Sequence, residues 1–480
     1  MLRRIPGLVW LAVPLAYILY FFGLTATGLL GPDEPRYAFI ARAMAESGDW
    51  ITPRLWGVPW FEKPALLYWL EAAALRIGIS EALAPRIPVA LLAAGFLAAY
   101  WWILEREFGG RTASLAALIL GTSGMWIGYA QAGVTDLPLT ATFSAAMLLA
   151  LPWVAKNDSR WLPASAALFG AAVLAKGLVP LGLAVPLVMG RRFQDWLRPR
   201  VVAPFLLVVL PWYALCYLRN GWTFVHEFFV VQHFSRVTSD ALMHVQPRWY
   251  YLPILVAALL PWTPLLALAA NRSLWKDPSR KFLLVWALWP VLLFSLALNK
   301  LPGYILPAMP AFAALLAIRL DESPRPGALL AACGLLTVAF PITSQVLPPA
   351  LLNGLSHAPR PHLQATWLIA PAAAIAAWEF SRRRQTLAAV GAIAVSVGIG
   401  VLQLKLEAAP VIDRNVSARV LWQEVKTRAR QTCIVPGVKR DWDYGLAWYA
   451  GFRLPSCEDQ PMPWQLEPAA DDGIHLRPKP

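Results

Sequence analysis

The run IPVALLAAGFLAAYWWIL (Ile87–Leu104) decides how the chain is read. It carries no charge, and it ends abruptly at Glu105-Arg106-Glu107. As a helix, a run of this length reaches about 27 Å, close to the roughly 30 Å hydrocarbon thickness of a bilayer. Pro88 stands at its start, where a missing N–H costs a helix nothing.

The pattern recurs along the chain. Thirteen apolar segments are expected: Leu8–Leu30, Ile87–Leu104, Thr112–Tyr129, Leu137–Ala155, Leu162–Ala175, Leu178–Met189, Val201–Leu218, Tyr250–Ala270, Phe282–Leu298, Tyr304–Ile318, Ala328–Val346, Ala365–Phe380 and Leu387–Leu404. Of 480 residues 58% are hydrophobic and only 15% charged, against about 25% charged in soluble domains. The fold class is therefore an all-α polytopic membrane protein. The 24 Trp and 42 Pro suit interfacial belts and broken helices. Leu8–Leu30 is too long for a signal peptide and has no small-residue cleavage site, so it is expected to remain as a helix.

The net charge of +14 does not point to nucleic acid, for the excess sits in short loops between apolar blocks. Arg3 and Arg4 precede the first segment. Basic residues then follow the second (Arg106, Arg111), fourth (Lys156, Arg160), sixth (Arg191, Arg192, Arg198, Arg200), eighth (Arg272, Lys276, Arg280, Lys281), tenth (Arg319, Arg325) and twelfth (Arg382–Arg384). Retention of positive charge on the cytoplasmic side places the N-terminus and these loops inside, and the C-terminus outside. One tilted helix could replace the two short segments around Lys176-Gly177, but every later loop would then invert. The expected organisation is a transmembrane domain over residues 1–404 and a small mixed extracytoplasmic domain over 405–480. Two long outer loops, 31–86 and 219–249, hold amphipathic runs suited to interfacial helices, such as Tyr37–Glu46 and Ala65–Ile77. Cys433 and Cys457 lie in the tail; sequence leaves their pairing open.

Ionisable residues gather in these outer loops. Gly31-Pro-Asp-Glu-Pro-Arg-Tyr-Ala38 sets two carboxylates at the end of the first segment. Asp33 is the candidate base, and Glu34, pointing elsewhere on an extended backbone, would order the loop. Read alone, the pair would also serve as a charged helix stop. Gly48-Asp-Trp-Ile-Thr-Pro-Arg54 and Phe61-Glu-Lys-Pro64 follow. Lys63 offers a lipid phosphate three donors and a full charge, with Glu62 as its neighbour; a plain surface Glu/Lys pair is the alternative. Asp136 and Lys176 stand at outward turns, where helix capping and snorkelling are the simpler readings. Lys300 begins a short outer turn, and an interfacial-belt role competes for Tyr304.

As a set these motifs resemble the membrane glycosyltransferases that take sugar from polyprenyl-phosphate donors. The likeness is greatest to the bacterial 4-amino-4-deoxy-L-arabinose transferases of lipid A, relatives of the protein O-mannosyltransferases with GT-C architecture. It continues in Gln131-Ala-Gly-Val-Thr-Asp136, Leu174-Ala-Lys-Gly177, Trp249-Tyr-Tyr-Leu-Pro253 and Asn299-Lys-Leu-Pro-Gly-Tyr-Ile-Leu-Pro307. The resemblance implies a catalytic Asp33, and Arg36, Lys63 and Tyr304 on the carrier phosphate. It also implies an Arg and a His from the second long loop. Among His233, Arg236, His244 and Arg248, the first choices are Arg236 for the phosphate and His244 for the sugar or a cation. Glu34, Glu62, Asp136 and Lys300 are further candidates for sugar or cation contact.

The expected partners are a polyprenyl-phosphate sugar donor, a lipid or protein acceptor, and membrane lipids. No nucleotide sugar is required, since no soluble nucleotide-binding domain is visible, and a divalent cation is left open without ligands. The expected location is the bacterial inner membrane with an extracytoplasmic site. Pro35 and Ala65 depart from the family pattern, and the tail is shorter, which puts the acceptor in doubt. A lipid-linked-sugar flippase and a non-catalytic scaffold are the rival classes. The first would call for inverted repeats, none of which is visible.

Overall fold

The computed structural model of the protein describes residues 12–190, 192–235, 245–269, 272–468 and 473–478. Among these, seven helices are long and apolar enough to cross a membrane: Ile87–Phe108, Asp136–Lys156, Pro199–Gln232, Pro278–Leu296, Pro302–Glu322, Gly327–Leu352 and Thr386–Val416. The number is nine if each of two bent pairs is one span. One pair, Gly110–Gly121 with Gly124–Ala130, turns by 65°; the other, Tyr251–Ala258 with Thr263–Ala269, turns by 112°. The protein is thus a multi-pass membrane protein. The remaining four of the thirteen expected segments fall on shorter helices, Ala12–Phe21, Leu162–Lys176, Val179–Met189 and Ile369–Arg382. By length and composition, up to nine crossings are shown among the described residues, with the other four segments on shorter helices. Around Lys176 the reason is local: Gly177 takes φ +68° and breaks the helix there.

Burial sorts the spans into central and peripheral. In Pro302–Glu322, 89% of the apolar window is buried, and in Asp136–Lys156, 83%; in Pro199–Gln232 only 17% is. Lipid is as apolar as leucine, so close packing rather than water exclusion holds the central helices together.

Polar contacts between loops fall into two groups, one at each end of the bundle. At one end Lys156 meets Glu107, Arg111 meets Asp321, and Arg280 meets Glu322. All lie at the exits that carry the basic excess. At the other end are the first loop, the turns at Gly133 and Lys176, and the tail.

The first loop folds into two helices. Asp33–Ser47 starts with Asp33 and Glu34 in its first turn, where carboxylates suit the helix dipole, and stops at Gly48 with φ +72°. Leu66–Arg76 packs against it, with Tyr37 and Tyr68 edge to face at 5.8 Å. A short hairpin, Arg54–Leu55 with Val58–Pro59, lies between them.

The last long helix runs to Val416, well past the expected end at Leu404. Hydropathy falls there, but the helix continues through Pro410, and the ammonium of buried Lys405 donates to the carbonyls of Ile18 (3.0 Å) and Phe22 at the end of the first helix. Beyond it, Thr432–Ile434 pairs in parallel with Trp464–Pro468, which pairs antiparallel with Ile474–Pro478. The helices Ala418–Val425 and Arg440–Ala450 pack together, and Leu421, Val425, Trp442, Leu446 and Leu466 share a small core. Cys433 and Cys457 form a disulfide that encloses the Arg440–Ala450 helix.

Candidate active site

Asp33 and Glu34 occupy the first turn of a helix rather than an extended loop, and the helical rotation sends their side chains in different directions. Glu34 turns inward and is buried. Its Oε1 accepts from Arg86 Nε at 2.6 Å and from the Gly133 N–H at 2.9 Å. Its Oε2 accepts from Arg86 Nη2 at 2.7 Å and from the Leu30 N–H at 2.8 Å. Four donors occupy this carboxylate, which fastens the Asp33 helix to the start of the Ile87 helix and to the turn before Asp136. Arg86 also donates to the carbonyls of Leu24, Thr27 and Gly28. From the other side, Arg419 donates to those of Thr25 and Ala26.

Asp33 keeps 47% of its side chain exposed, while Arg36 (7%) and Glu62 (5%) are buried. Arg36 Nη2 donates to Asp33 Oδ1 at 2.5 Å and lies 3.1 Å from Glu62 Oε2. Lys63 Nζ lies 3.1 Å from Glu62 Oε1. Acids and bases thus alternate along Asp33, Arg36, Glu62 and Lys63. Burial works against the Arg36 charge, but Glu62 and Asp33 outweigh it and hold its pKa above the ordinary value.

A second cluster adjoins. Lys176 Nζ donates to Asp136 Oδ1 at 2.7 Å and stands 5.3 Å from the Tyr304 ring centroid. Asp136 is thus ion-paired, and no side chain caps its helix. A Cβ on Gly303 would come within 2.5 Å of both Asp136 Oδ1 and Tyr129 Oη, so Leu-Pro-Gly-Tyr can approach only because position 303 has no side chain. The clusters are neighbours on two counts. Glu34 grips Gly133, three residues before Asp136, and Phe61 and Leu174, each two residues before its lysine, share one aromatic core with Trp212 and Phe224. Beside Asp136, a cavity of about 340 Å³ opens among Met125, Tyr129, Ile254, Ala257 and Pro302, almost wholly apolar.

Lys300 is buried and spends its ammonium on the carbonyls of Gln246 (2.8 Å) and Ala297, joining the end of the second long loop to its own turn. Burial, aided by Arg248, lowers its pKa. Arg248 itself is exposed, His233 contributes helical backbone whose side chain is not described, and Arg236 and His244 lie outside the described residues. Among the described residues no three His, Cys, Asp or Glu side chains come together, and the acids at the site each face an arginine or lysine.

Sequence reading missed the part taken by the tail. The Tyr444 ring centroid lies 5.4 Å from the Arg36 guanidinium and stacks on Trp56 at 5.4 Å. Arg42 sits 3.6 Å over Trp448 and donates to its carbonyl at 2.7 Å. Burial raises the pKa of Asp441, against Lys439 and Arg440, and Asp33 adds to the rise. The visible signal was polar and aromatic runs in the tail such as Asp441-Trp-Asp-Tyr444.

Comparison with known proteins places this geometry. Over 93% of the chain and 85% of its counterpart, the structure superposes with TM-score 0.75 and 27% identity on the crystal structure of ArnT from Cupriavidus metallidurans bound to undecaprenyl phosphate. The fold is GT-C. Residues 62–216 match the family model described as dolichyl-phosphate-mannose-protein mannosyltransferase. The chain is 35% identical over 324 residues to an undecaprenyl phosphate-alpha-4-amino-4-deoxy-L-arabinose arabinosyl transferase of Erwinia tasmaniensis, covering 63% of this chain and 58% of the relative. The Pseudomonas aeruginosa protein of that name is 33% identical, over 66% and 60%. The chain therefore spans about 60% of the length of the curated relatives it matches. The expected resemblance to polyprenyl-phosphate glycosyltransferases of GT-C type holds.

Proposed function

We propose that the protein is a glycosyltransferase that moves a sugar, aminoarabinose or a close analogue, from undecaprenyl phosphate to an extracytoplasmic acceptor such as lipid A. The observation that carries this reading is Asp33, half exposed, bonded to an Arg36 that shares Glu62 with Lys63.

In the reaction, the acceptor hydroxyl oxygen attacks the anomeric carbon from the face opposite the phosphate, so configuration inverts. Asp33 takes the hydroxyl proton. The bond from the anomeric carbon to the phosphate oxygen breaks, and its electron pair leaves with the carrier phosphate. The charge on that phosphate grows as the bond breaks, so Arg36 and Lys63 bind the transition state more tightly than the donor. Lys176 and Tyr304 close the other side.

The topology that fits this reading has thirteen crossings, with residues 1–404 in the membrane domain and 405–480 as an extracytoplasmic domain. Its N-terminus is cytoplasmic, and site and tail face the periplasm. The grouping of the basic loops at the opposite end of the bundle supports it.

A protein acceptor is the second reading, favoured by the match of residues 62–216 to a protein mannosyltransferase model. Mass analysis of envelope lipids and envelope proteins, from cells with and without the protein, tests both. A sugar present on lipid A only when the protein is present supports the first reading, and a sugar on protein alone supports the second. No difference in either pool would sink both.

A further inference from the structure

The mechanism makes no use of Glu71. It lies on the inner face of the Leu66–Arg76 helix, is 0% exposed, and neither carboxyl oxygen has a hydrogen-bond partner among the described residues. Tyr68, one turn earlier on the same face, is also fully buried with an unpartnered hydroxyl. Toward the site, Arg36 Nε is a third buried group without a partner. Buried polar atoms are hydrogen-bonded to protein or to ordered water in the great majority of cases. Tyr68 lies within electrostatic reach of both Arg36 and Glu71, so one hydrated position can serve all three orphans.

The surroundings settle the charge of Glu71. A Cβ on Gly133 would stand 3.3 Å from Glu71 Oε1, so Glu71 packs against the residue whose N–H serves Glu34. Glu34 holds Arg86 on both of its oxygens. A second carboxylate beside it, buried and without a cation of its own, would cost several kcal/mol, and protonation removes that cost. Burial first, and Glu34 second, push the Glu71 pKa well above the ordinary range.

We propose that Glu71 is carried as a neutral acid, joined through ordered water to the Tyr68 hydroxyl and on to Arg36 Nε, and that it is a positioning residue for Arg36. Among the described hydrogen bonds Arg36 is otherwise held through Nη2 alone, by Asp33 and Glu62. The link supplies the third point and orients the guanidinium toward the carrier phosphate. Its kinetic consequence rests on the glycosyltransferase reading; its protonation state does not.

The test is infrared difference spectroscopy on the intact protein in detergent at neutral pH, with donor kinetics beside it. Wild type minus Glu71→Gln should show a protonated-carboxyl band lost in the variant, and Tyr68→Phe should shift that band. Glu71→Gln should leave the donor KM within about twofold, while Glu71→Leu, which cannot hydrogen-bond, raises it about tenfold. A difference spectrum showing only an ionised carboxylate at Glu71 overturns the proposal. So does a Leu variant with the wild-type KM. Wild-type protein that transfers no sugar would count against the functional reading instead, and the infrared result would still decide Glu71.

Discussion

Arg86 and Glu34 form a buried two-point ion pair, Nε to Oε1 at 2.6 Å and Nη2 to Oε2 at 2.7 Å, across 52 residues of chain. The pair ties together the end of the first helix, the helix bearing Asp33 and the turn before Asp136. Removing one partner strands the other charge in a dry interior. Arg86→Ala should therefore cost about 3–5 kcal/mol of stability. The check is thermal unfolding in detergent, where Glu34→Gln should also lower the midpoint. A midpoint equal to wild type in both would show that the pair is dispensable.

Arg36 and Lys63 should act on donor binding. Arg36→Lys keeps the charge but loses the planar guanidinium that faces the Tyr444 ring and donates to Asp33 and Glu62. A charge-assisted hydrogen bond contributes about 1.5–3 kcal/mol. Each of Arg36→Lys and Lys63→Ala should thus weaken undecaprenyl phosphate binding by roughly 10- to 100-fold, measured by titration of the purified protein. The acceptor KM should move much less.

The disulfide should matter to the site at a distance. Cys433–Cys457 encloses the helix whose Tyr444 and Trp448 cover Arg36 and Arg42. Its loss should destabilise the tail by about 2–4 kcal/mol. Reductant, or Cys433→Ser with Cys457→Ser, should lower the unfolding midpoint and make the tail more open to protease. Unchanged proteolysis would mean that the tail core holds without it.

Glu71 gives stability a pH dependence of known sign. Its pKa in the folded protein lies well above the unfolded value near 4.5, raised by burial and by Glu34. The folded state therefore binds the proton more tightly, and this contribution to stability is complete below the unfolded pKa. It is lost as pH rises toward the folded pKa. Glu71→Gln has no such loss. The variant should gain on wild type in melting temperature as pH goes from 5 to 8. Equal differences at every pH would mean that Glu71 does not titrate between folded and unfolded states in that range.

Local chemistry was legible in the sequence, and long-range partnership was not. Asp33, Glu62, Lys63, Asp136, Lys176 and Tyr304 each sit in short motifs at helix ends; the structure joins the first three through Arg36 and sets Lys176 against both Asp136 and Tyr304. The helices of the first loop were readable from their amphipathic runs. Arg86 was not, since its role depends on three carbonyls and a carboxylate far away in the chain. Lys300 looked like a ligand contact, but its partners include backbone carbonyls, which a sequence does not display. The last helix outran its expected end because hydropathy marks where lipid stops, not where a helix does. Tyr444 reaches the site only because the tail folds back over the first loop, a packing outcome that no local pattern encodes.

Single-turnover transfer, with purified protein loaded with undecaprenyl-phosphate sugar and challenged with acceptor, tests the role of Asp33 most directly. Wild type should release undecaprenyl phosphate and glycosylated acceptor in equal amounts. Asp33→Asn should bind the donor normally and transfer about 10²–10⁴-fold more slowly. Transfer by Asp33→Asn at the wild-type rate would contradict the assignment.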